Sequence, residues 1–383
     1  MDRRDFLFLA SGAGLSAWAA PARAAASRRL LVLVELKGGN DGLNTVVPYS
    51  DPHYARLRPR LALGRDQVLP LTNAVGLHRS LEKLMPAWEA GELAFVQGIG
   101  YPEPNLSHFR SIEIWDTGSG SDEYLDEGWL TRAFARRPSP PGYAADGVVV
   151  GAANLGPLAG AGARTLALTS PEQFLRAARL ARADGTSEGN PALAHILRVE
   201  RDIQHSADRL ISGREFRTAF PAGPFGAAVR SAAQLAANPA GVGVIRLTLD
   251  GFDTHANQLA THAALLRQHA EGLAALREAL VELGRWPESI VATYAEFGRR
   301  PRENESGGTD HGTANAHWVM GGAVKGGLIG EAPRLDRLDA GGNVAFAVDY
   351  RDYYAGLLEA AWGEAGRGLM GMTRRPVALV RAG

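Results

Sequence analysis

Hydrophobic residues run almost without interruption from Leu30 to Leu36, with Glu35 the single charged exception. A run without polar alternation belongs to a strand covered on both faces, as in a parallel sheet. It closes on Lys37-Gly38-Gly39-Asn40-Asp41-Gly42, a glycine-rich turn at the carboxyl end of the strand. Comparable apolar runs predict strands at Leu93–Gln97, Val148–Val150, Thr165–Leu168, Val242–Leu249 and Ile290–Thr293. Helical periodicity between them predicts helices around Leu81–Trp88, Ser107–Trp115, Pro171–Arg182, Leu193–Leu210 and Ala256–Leu283. The last is the clearest, with Leu259, Leu266, Leu273 and Leu280 repeating along one side. The stretches Arg136–Gly147 and Ala183–Pro191 read as surface loops. Strands alternating with helices predict an α/β fold, a mostly parallel central sheet sandwiched by helices. With no internal repeat and no long linker, residues 29–383 read as one domain. Parallel sheets of this kind place their sites at the carboxyl ends of the strands.

The first residues follow a different rule. Arg3 and Arg4 form a twin-arginine pair, an apolar stretch runs from Phe6 to Ala20, and Ala22-Arg23-Ala24 has the form of a cleavage site. Residues 1–24 are therefore expected to be a twin-arginine signal peptide, with the export machinery as a partner and a periplasmic or secreted mature protein. The apolar stretch is too short and too diluted for a good membrane span, and no later segment supplies one.

Composition then narrows the chemistry. The 41 basic residues balance 41 acidic ones, so no bulk charge steers the chain onto nucleic acid. There is no cysteine, which excludes disulfides, zinc ribbons and thiol catalysis. What remains is a set of Asp and His residues near predicted strand ends. They are Asp41; Asp253 and His255 in Asp250-Gly251-Phe252-Asp253-Thr254-His255; and Asp310, His311 and His317 in and after Gly308-Thr309-Asp310-His311-Gly312. Carboxylates with neutral imidazoles suit Zn²⁺ or Mn²⁺, and the carboxylates also suit Mg²⁺. One or two divalent ions are expected, with a small anionic ester as the substrate that completes the charge balance.

Ser107 stands where a turn becomes a helix, a place that favours an incoming anion and an activated hydroxyl. The same place suits a plain N-cap. Asn40, Arg110 and Arg299 are candidate substrate contacts, the arginines through bidentate bonds to an anionic oxygen. Glu296 is a candidate orienting partner or general base. His262 and His269, on the long helix, read as structural. His108, beside Ser107, fits either role.

Four motifs together, Gly38-Gly39-Asn40-Asp41-Gly42-Leu43-Asn44, Phe252-Asp253-Thr254-His255, Glu296-Phe297-Gly298-Arg299 and Gly308-Thr309-Asp310-His311-Gly312, resemble the domain-of-unknown-function family 1501. That family is commonly exported by the twin-arginine route and is grouped with the alkaline phosphatase/sulfatase-like superfamily. The resemblance implies an alkaline phosphatase-like fold. It also implies one metal held by Asp253, His255 and His317, and a second held by Asp41, Asp310, His311 and the Ser107 oxygen. The implied activity is a metal-dependent hydrolase or transferase acting on phosphate, sulfate or related esters through Ser107. Two readings stand beside it: a non-catalytic exported metal-binding or assembly protein, and a single-metal site at which Ser107 only caps a helix. The chain departs from the superfamily pattern in having only Thr254 between Asp253 and His255, and in lacking the sulfatase Pro-Ser-Arg context around the nucleophile.

Overall fold

Alternate side chains of the Leu30 strand enter two different cores. Leu31 and Leu33 pack with Ile114, Trp115 and Leu130. Val32, Val34 and Leu36 pack with Val229, Leu266 and Leu273. This is the two-faced burial that an unbroken apolar strand demands. The computed structural model describes residues 29–169, 213–363, 368–370 and 374–381. The predicted leader at 1–24, the helices at 171–182 and 193–210 and the loop at 183–191 lie outside the described residues.

The described strands, in chain order, are β1 (Leu30–Lys37), β2 (Val46–Val47), β3 (Val68–Pro70), β4 (Gly76–His78), β5 (Leu93–Gly100), β6 (Ala145–Val150) and β7 (Thr165–Leu168). They continue with β8 (Val242–Asp250), β9 (Ser289–Tyr294), β10 (Gly298–Glu303), β11 (Thr309–Gly312), β12 (Asn315–Met320), β13 (Gly327–Ile329) and β14 (Val348–Asp349). The described helices are α1 (Pro52–Leu57), α2 (Met85–Glu89), α3 (His108–Thr117), α4 (Trp129–Arg136), α5 (Gly223–Ala236), α6 (Gln258–Glu282) and α7 (Tyr350–Trp362).

The main sheet runs β13-β5-β12-β9-β1-β8-β6-β7, with β14 also paired to β5. All its pairings are parallel except those of β12, which is antiparallel to both β5 and β9. Helices α5 and α6 cover one face; α3, α4 and α7 cover the other. The expected helix-sheet-helix sandwich is therefore present. Its centre is the parallel trio β9-β1-β8, whose carboxyl ends open side by side. The loop after β1 carries Asn40 and Asp41, the loop after β8 carries Asp253 and His255, and the loop after β9 carries Glu296. Two small sheets, β10-β11 and β2-β4-β3, lie outside the main one.

Some elements differ from the pattern-based expectation. The predicted Arg136–Gly147 loop contains the end of α4 and the first residues of β6. Asp310 and His311 lie on β11, half of an antiparallel hairpin that the apolar pattern did not mark as a strand. The helix predicted around Leu81–Trp88 is a 3-10 segment, Arg79–Leu84, that passes into α2.

One buried polar group lies behind the sheet. Asp116, on α3, is nearly inaccessible. Burial raises its pKa to about 8, against the opposing pull of the Arg246 guanidinium. Arg246 itself is engaged with Glu35 at 2.7 Å and with the Tyr294 hydroxyl at 2.7 Å. Asp116 is thus protonated in the folded state at neutral pH and ionised in the unfolded chain. Its contribution to stability is complete below the ordinary carboxyl pKa and is lost as pH rises toward 8. Asp116→Asn is expected to match wild type in urea unfolding near pH 4 and to exceed it progressively up to pH 8. A constant difference across that range would contradict this account.

Candidate metal and ester site

The loops after β1 and β8 touch because glycine lets them. A Cβ on Gly38 would come within 2.4 Å of the Asp253 amide nitrogen, and Gly38 adopts φ +109°. A Cβ on Gly308 would lie 2.3 Å from the His255 carbonyl carbon. These contacts press the turn after β1 onto Phe252-Asp253, and the β10-β11 hairpin onto Thr254-His255.

Arg299, on β10 and buried, fastens the assembly. Its guanidinium donates to the carbonyls of Gly39 at 2.8 Å, Thr309 at 2.9 Å, Phe252 at 3.0 Å and Gly38, and to Asp253 Oδ1 at 2.6 Å. Arg299 was a candidate substrate contact; its donors instead face the protein. Burial would raise the Asp253 pKa, but the hydrogen bond and charge of Arg299, with help from His311, hold it down at about 2.

Around Asp253 three ligand-type atoms form a small triangle. Oδ1 lies 3.0 Å from His255 Nε2 and 3.1 Å from His311 Nε2, and the two imidazole nitrogens are 3.0 Å apart. The tautomers follow from the outer partners. His311 Nδ1 lies 2.7 Å from the Leu106 carbonyl, which only accepts, so Nδ1 carries the proton. His255 Nδ1 lies 3.3 Å from Asp310 Oδ1. The Asp310 pKa is lowered, first by the Asn304 amide at 3.1 Å, so this oxygen is also an acceptor. An imidazole protonated only at Nδ1 turns its Nε2 lone pair inward, so in that form both Nε2 atoms present acceptors to each other and to the Asp253 carboxylate. Three acceptors about 3 Å apart repel unless a cation lies among them. Burial, aided by the Arg299 charge, lowers the His311 pKa. Ligands 2.0–2.1 Å from one ion stand about 3.0–3.4 Å apart, the spacing found here.

His108 lies on a neighbouring edge. Its Nδ1 is 2.8 Å from Glu296 Oε1 and its Nε2 is 3.3 Å from Asp253 Oδ2. The Glu296 hydrogen bond raises its pKa. One coordinating atom each from His108, Asp253 and His311 fall within 4.8 Å of one another. Ser107, exposed at the start of α3, sits between Leu106 and His108, both of which touch the cluster. Its side chain does not cap the helix.

Four other expected participants lie elsewhere. Asp41 is fully buried. Its oxygens accept from Arg58 at 2.6 and 3.0 Å, from the Leu43 and Asn44 amides at 3.1 and 3.4 Å, and from Gln258. It holds the turn after β1, and the guanidinium already neutralises its charge. His317 is on β12 inside the sheet layer, with Nδ1 3.4 Å from the Thr293 hydroxyl and its ring stacked on Tyr353. Asn40 bonds Thr45 and His262 within the same buried turn. Arg110 reaches the Ser121 and Glu123 carbonyls and stacks on Tyr124, 3.7 Å from the ring centre. The structure gathers Asp253, His255, Asp310 and His311 with Ser107 alongside, and leaves Asp41, His317, Asn40 and Arg110 out. His108 and Asn304 join the site without having been singled out for it. For His108 the signal was its position beside Ser107; Asn304 gave none.

A family model described as "Protein of unknown function (DUF1501)" matches residues 28–360. No curated protein matches the sequence. Among solved structures, the chain is similar to a protein in the alkaline phosphatase superfamily from Vibrio parahaemolyticus, with 10% identity and a TM-score of 0.43, over 91% of this chain and 69% of that one. It is also similar to the C-terminal periplasmic domain of EcEptC from Escherichia coli in complex with zinc (10% identity, TM-score 0.38, 77% and 72% covered). A third likeness is to alkaline phosphatase from the Antarctic bacterium TAB5 (12% identity, TM-score 0.33, 76% and 91% covered).

Asp41 and Asp253 are expected to separate stability from metal binding. Asp41→Asn leaves a buried guanidinium without its counter-charge and should cost about 3–5 kcal/mol in urea unfolding, with Zn²⁺ affinity retained in the folded protein. Asp253→Asn should remain folded and lose Zn²⁺ binding by calorimetry. The opposite pattern would return Asp41 to the ligand set.

Proposed function

The chain belongs to the DUF1501 family, and on that footing we propose that it is a divalent-metal-dependent hydrolase or transferase acting on phosphate, sulfate or related esters. The observation that carries this reading is the triangle of Asp253 Oδ1, His255 Nε2 and His311 Nε2, three ligand-type atoms 3.0–3.1 Å apart. These residues would hold one ion, of the class Zn²⁺, Mn²⁺ or Mg²⁺. When bound, such an ion supplies Lewis acidity toward an ester oxygen and favours the ionised form of a nearby hydroxyl. One ion fits better than two, because the Asp41 oxygens are occupied by Arg58.

The chain's own residues supply the rest. The first intrahelical bond of α3 runs from the Ser111 amide to the Ser107 carbonyl. The amides of residues 108–110 thus have no partner inside the helix, and the uncapped end suits the oxygens of an anionic ester. Ser107 Oγ would attack phosphorus or sulfur, forming a serine ester as the bond to the leaving oxygen breaks. The hydroxyl proton leaves with the departing alcohol. Attack by water on the serine ester, or by an acceptor alcohol in a transferase, restores the serine.

Export belongs to the same proposal and is supported by Arg3-Arg4 and the Ala22-Arg23-Ala24 motif. No helix among the described residues is long and apolar enough to cross a membrane. The mature protein is expected to begin after Ala24, which N-terminal sequencing of protein from the periplasm or medium would check.

The catalytic test is hydrolysis of aryl phosphates and sulfates by the mature protein with each metal in turn. The expected result is metal-dependent turnover, lost in Ser107→Ala by a factor on the order of 10³ or more, with unchanged Zn²⁺ affinity. Metal binding without turnover on any ester would favour the non-catalytic reading. Turnover that survives Ser107→Ala would point to direct attack by water.

A further inference from the structure

The geometry points to His108 as an additional ligand of the same cation, with Glu296 as the residue that positions it. This inference rests on the metal-centre reading above and extends it to two residues that the family motifs do not mark as ligands.

Two atoms lead to it. His108 Nε2 is buried and has no hydrogen-bond partner, although it lies 3.3 Å from Asp253 Oδ2. Glu296 Oε2 is also buried and without a partner. Buried unpaired polar atoms are costly, so a pair of them on adjoining residues calls for a reason beyond packing. The other half of each side chain is firmly placed. Glu296 Oε1 accepts from the Gly38 amide at 2.9 Å and sits 2.8 Å from His108 Nδ1. The Glu296 carbonyl accepts from the Ser111 hydroxyl of α3. The carboxylate is thereby tied to the turn after β1, to α3 and to the loop after β9.

Held this way, Glu296 takes the Nδ1 side of the ring and turns Nε2 toward Asp253. His108 and His311 pack edge to face with ring centres 4.4 Å apart, so both imidazoles border the same space. A carboxylate behind a histidine that turns its far nitrogen to a metal is a general arrangement for fixing tautomer and ring orientation. The four coordinating residues would be Asp253, His255, His311 and His108. Because His108 follows Ser107 directly, ligation by His108 would also fix the start of α3 relative to the ion.

The test uses the mature protein, histidines labelled with ¹⁵N, and Zn²⁺ as the probe. Adding Zn²⁺ is expected to move the Nε2 resonances of His108, His255 and His311 together, with His108 Nδ1 still protonated. His108→Ala is expected to weaken Zn²⁺ binding about 10–100-fold, and Glu296→Gln about 10-fold. Glu296→Gln keeps an acceptor for the Gly38 amide, so it should fold; circular dichroism verifies this. In that variant the His108 tautomer should become mixed, a change that a merely structural glutamate would not produce. If Zn²⁺ binds, and Asp253→Asn abolishes binding, while His108→Ala stays within twofold of wild type or its Nε2 does not shift, this inference is overturned and the three-ligand centre stands. If wild type binds no Zn²⁺, both fail.

Discussion

Arg299 is the constraint on which the site depends. One buried guanidinium gathers the carbonyls of Gly38 and Gly39 after β1, Phe252 after β8 and Thr309 at the start of β11. Its remaining hydrogen bond goes to Asp253, the carboxylate placed to face both His255 and His311. The planar fork of donors suits this task in a way a lysine ammonium would not. The acidity of Asp253 has the same origin, since Arg299 opposes the burial that would otherwise raise its pKa. The glycines at 38 and 308 let the backbones approach, and Arg299 makes the approach a fixed geometry.

Two polar networks share these loops and do different work. Asp41, Arg58, Asn44, Tyr54 and Gln258 form a closed network in which the carboxylate has its counter-charge and its amide donors. The cluster at Asp253 is open: it reaches the surface and brings the carboxylates of Asp253, Asp310 and Glu296 together around three imidazoles. Gln258 and Arg299 border both networks through Thr309, the first accepting from its hydroxyl and the second donating to its carbonyl. A rigid, neutralised network beneath an open, charged one is a sound way to hold ligands whose repulsion would otherwise spread them apart.

Much of this was legible in the sequence, for identifiable reasons. The strands of the parallel trio were visible because burial on both faces leaves no polar alternation to confuse with a loop. The Asp253, His255, Asp310 and His311 set was visible because these residues sit in glycine-bearing motifs. Asp41 has the same motif signature as a ligand, and sequence alone cannot reveal that Arg58, seventeen residues on, occupies it. His317 resembled a ligand by residue type, yet the β12 strand carries it into the sheet layer. β12 itself escaped notice, because Asn315-Ala316-His317 interrupts its apolar pattern and an antiparallel strand was not expected there. Glu296, placed by its motif after the β9 strand, was readable as an orienting partner, but which side chain it orients was not; Asn304 supports other side chains through spatial neighbours that no local pattern encodes.

The most direct measurement of the central claim is anomalous diffraction from crystals of the mature protein grown with Zn²⁺. The account predicts one strong peak bonded at about 2.0–2.2 Å to Asp253 Oδ1, His255 Nε2 and His311 Nε2. A peak at Asp41 or His317 with none beside Asp253, or density showing those three atoms spread apart with no ion among them, would contradict it.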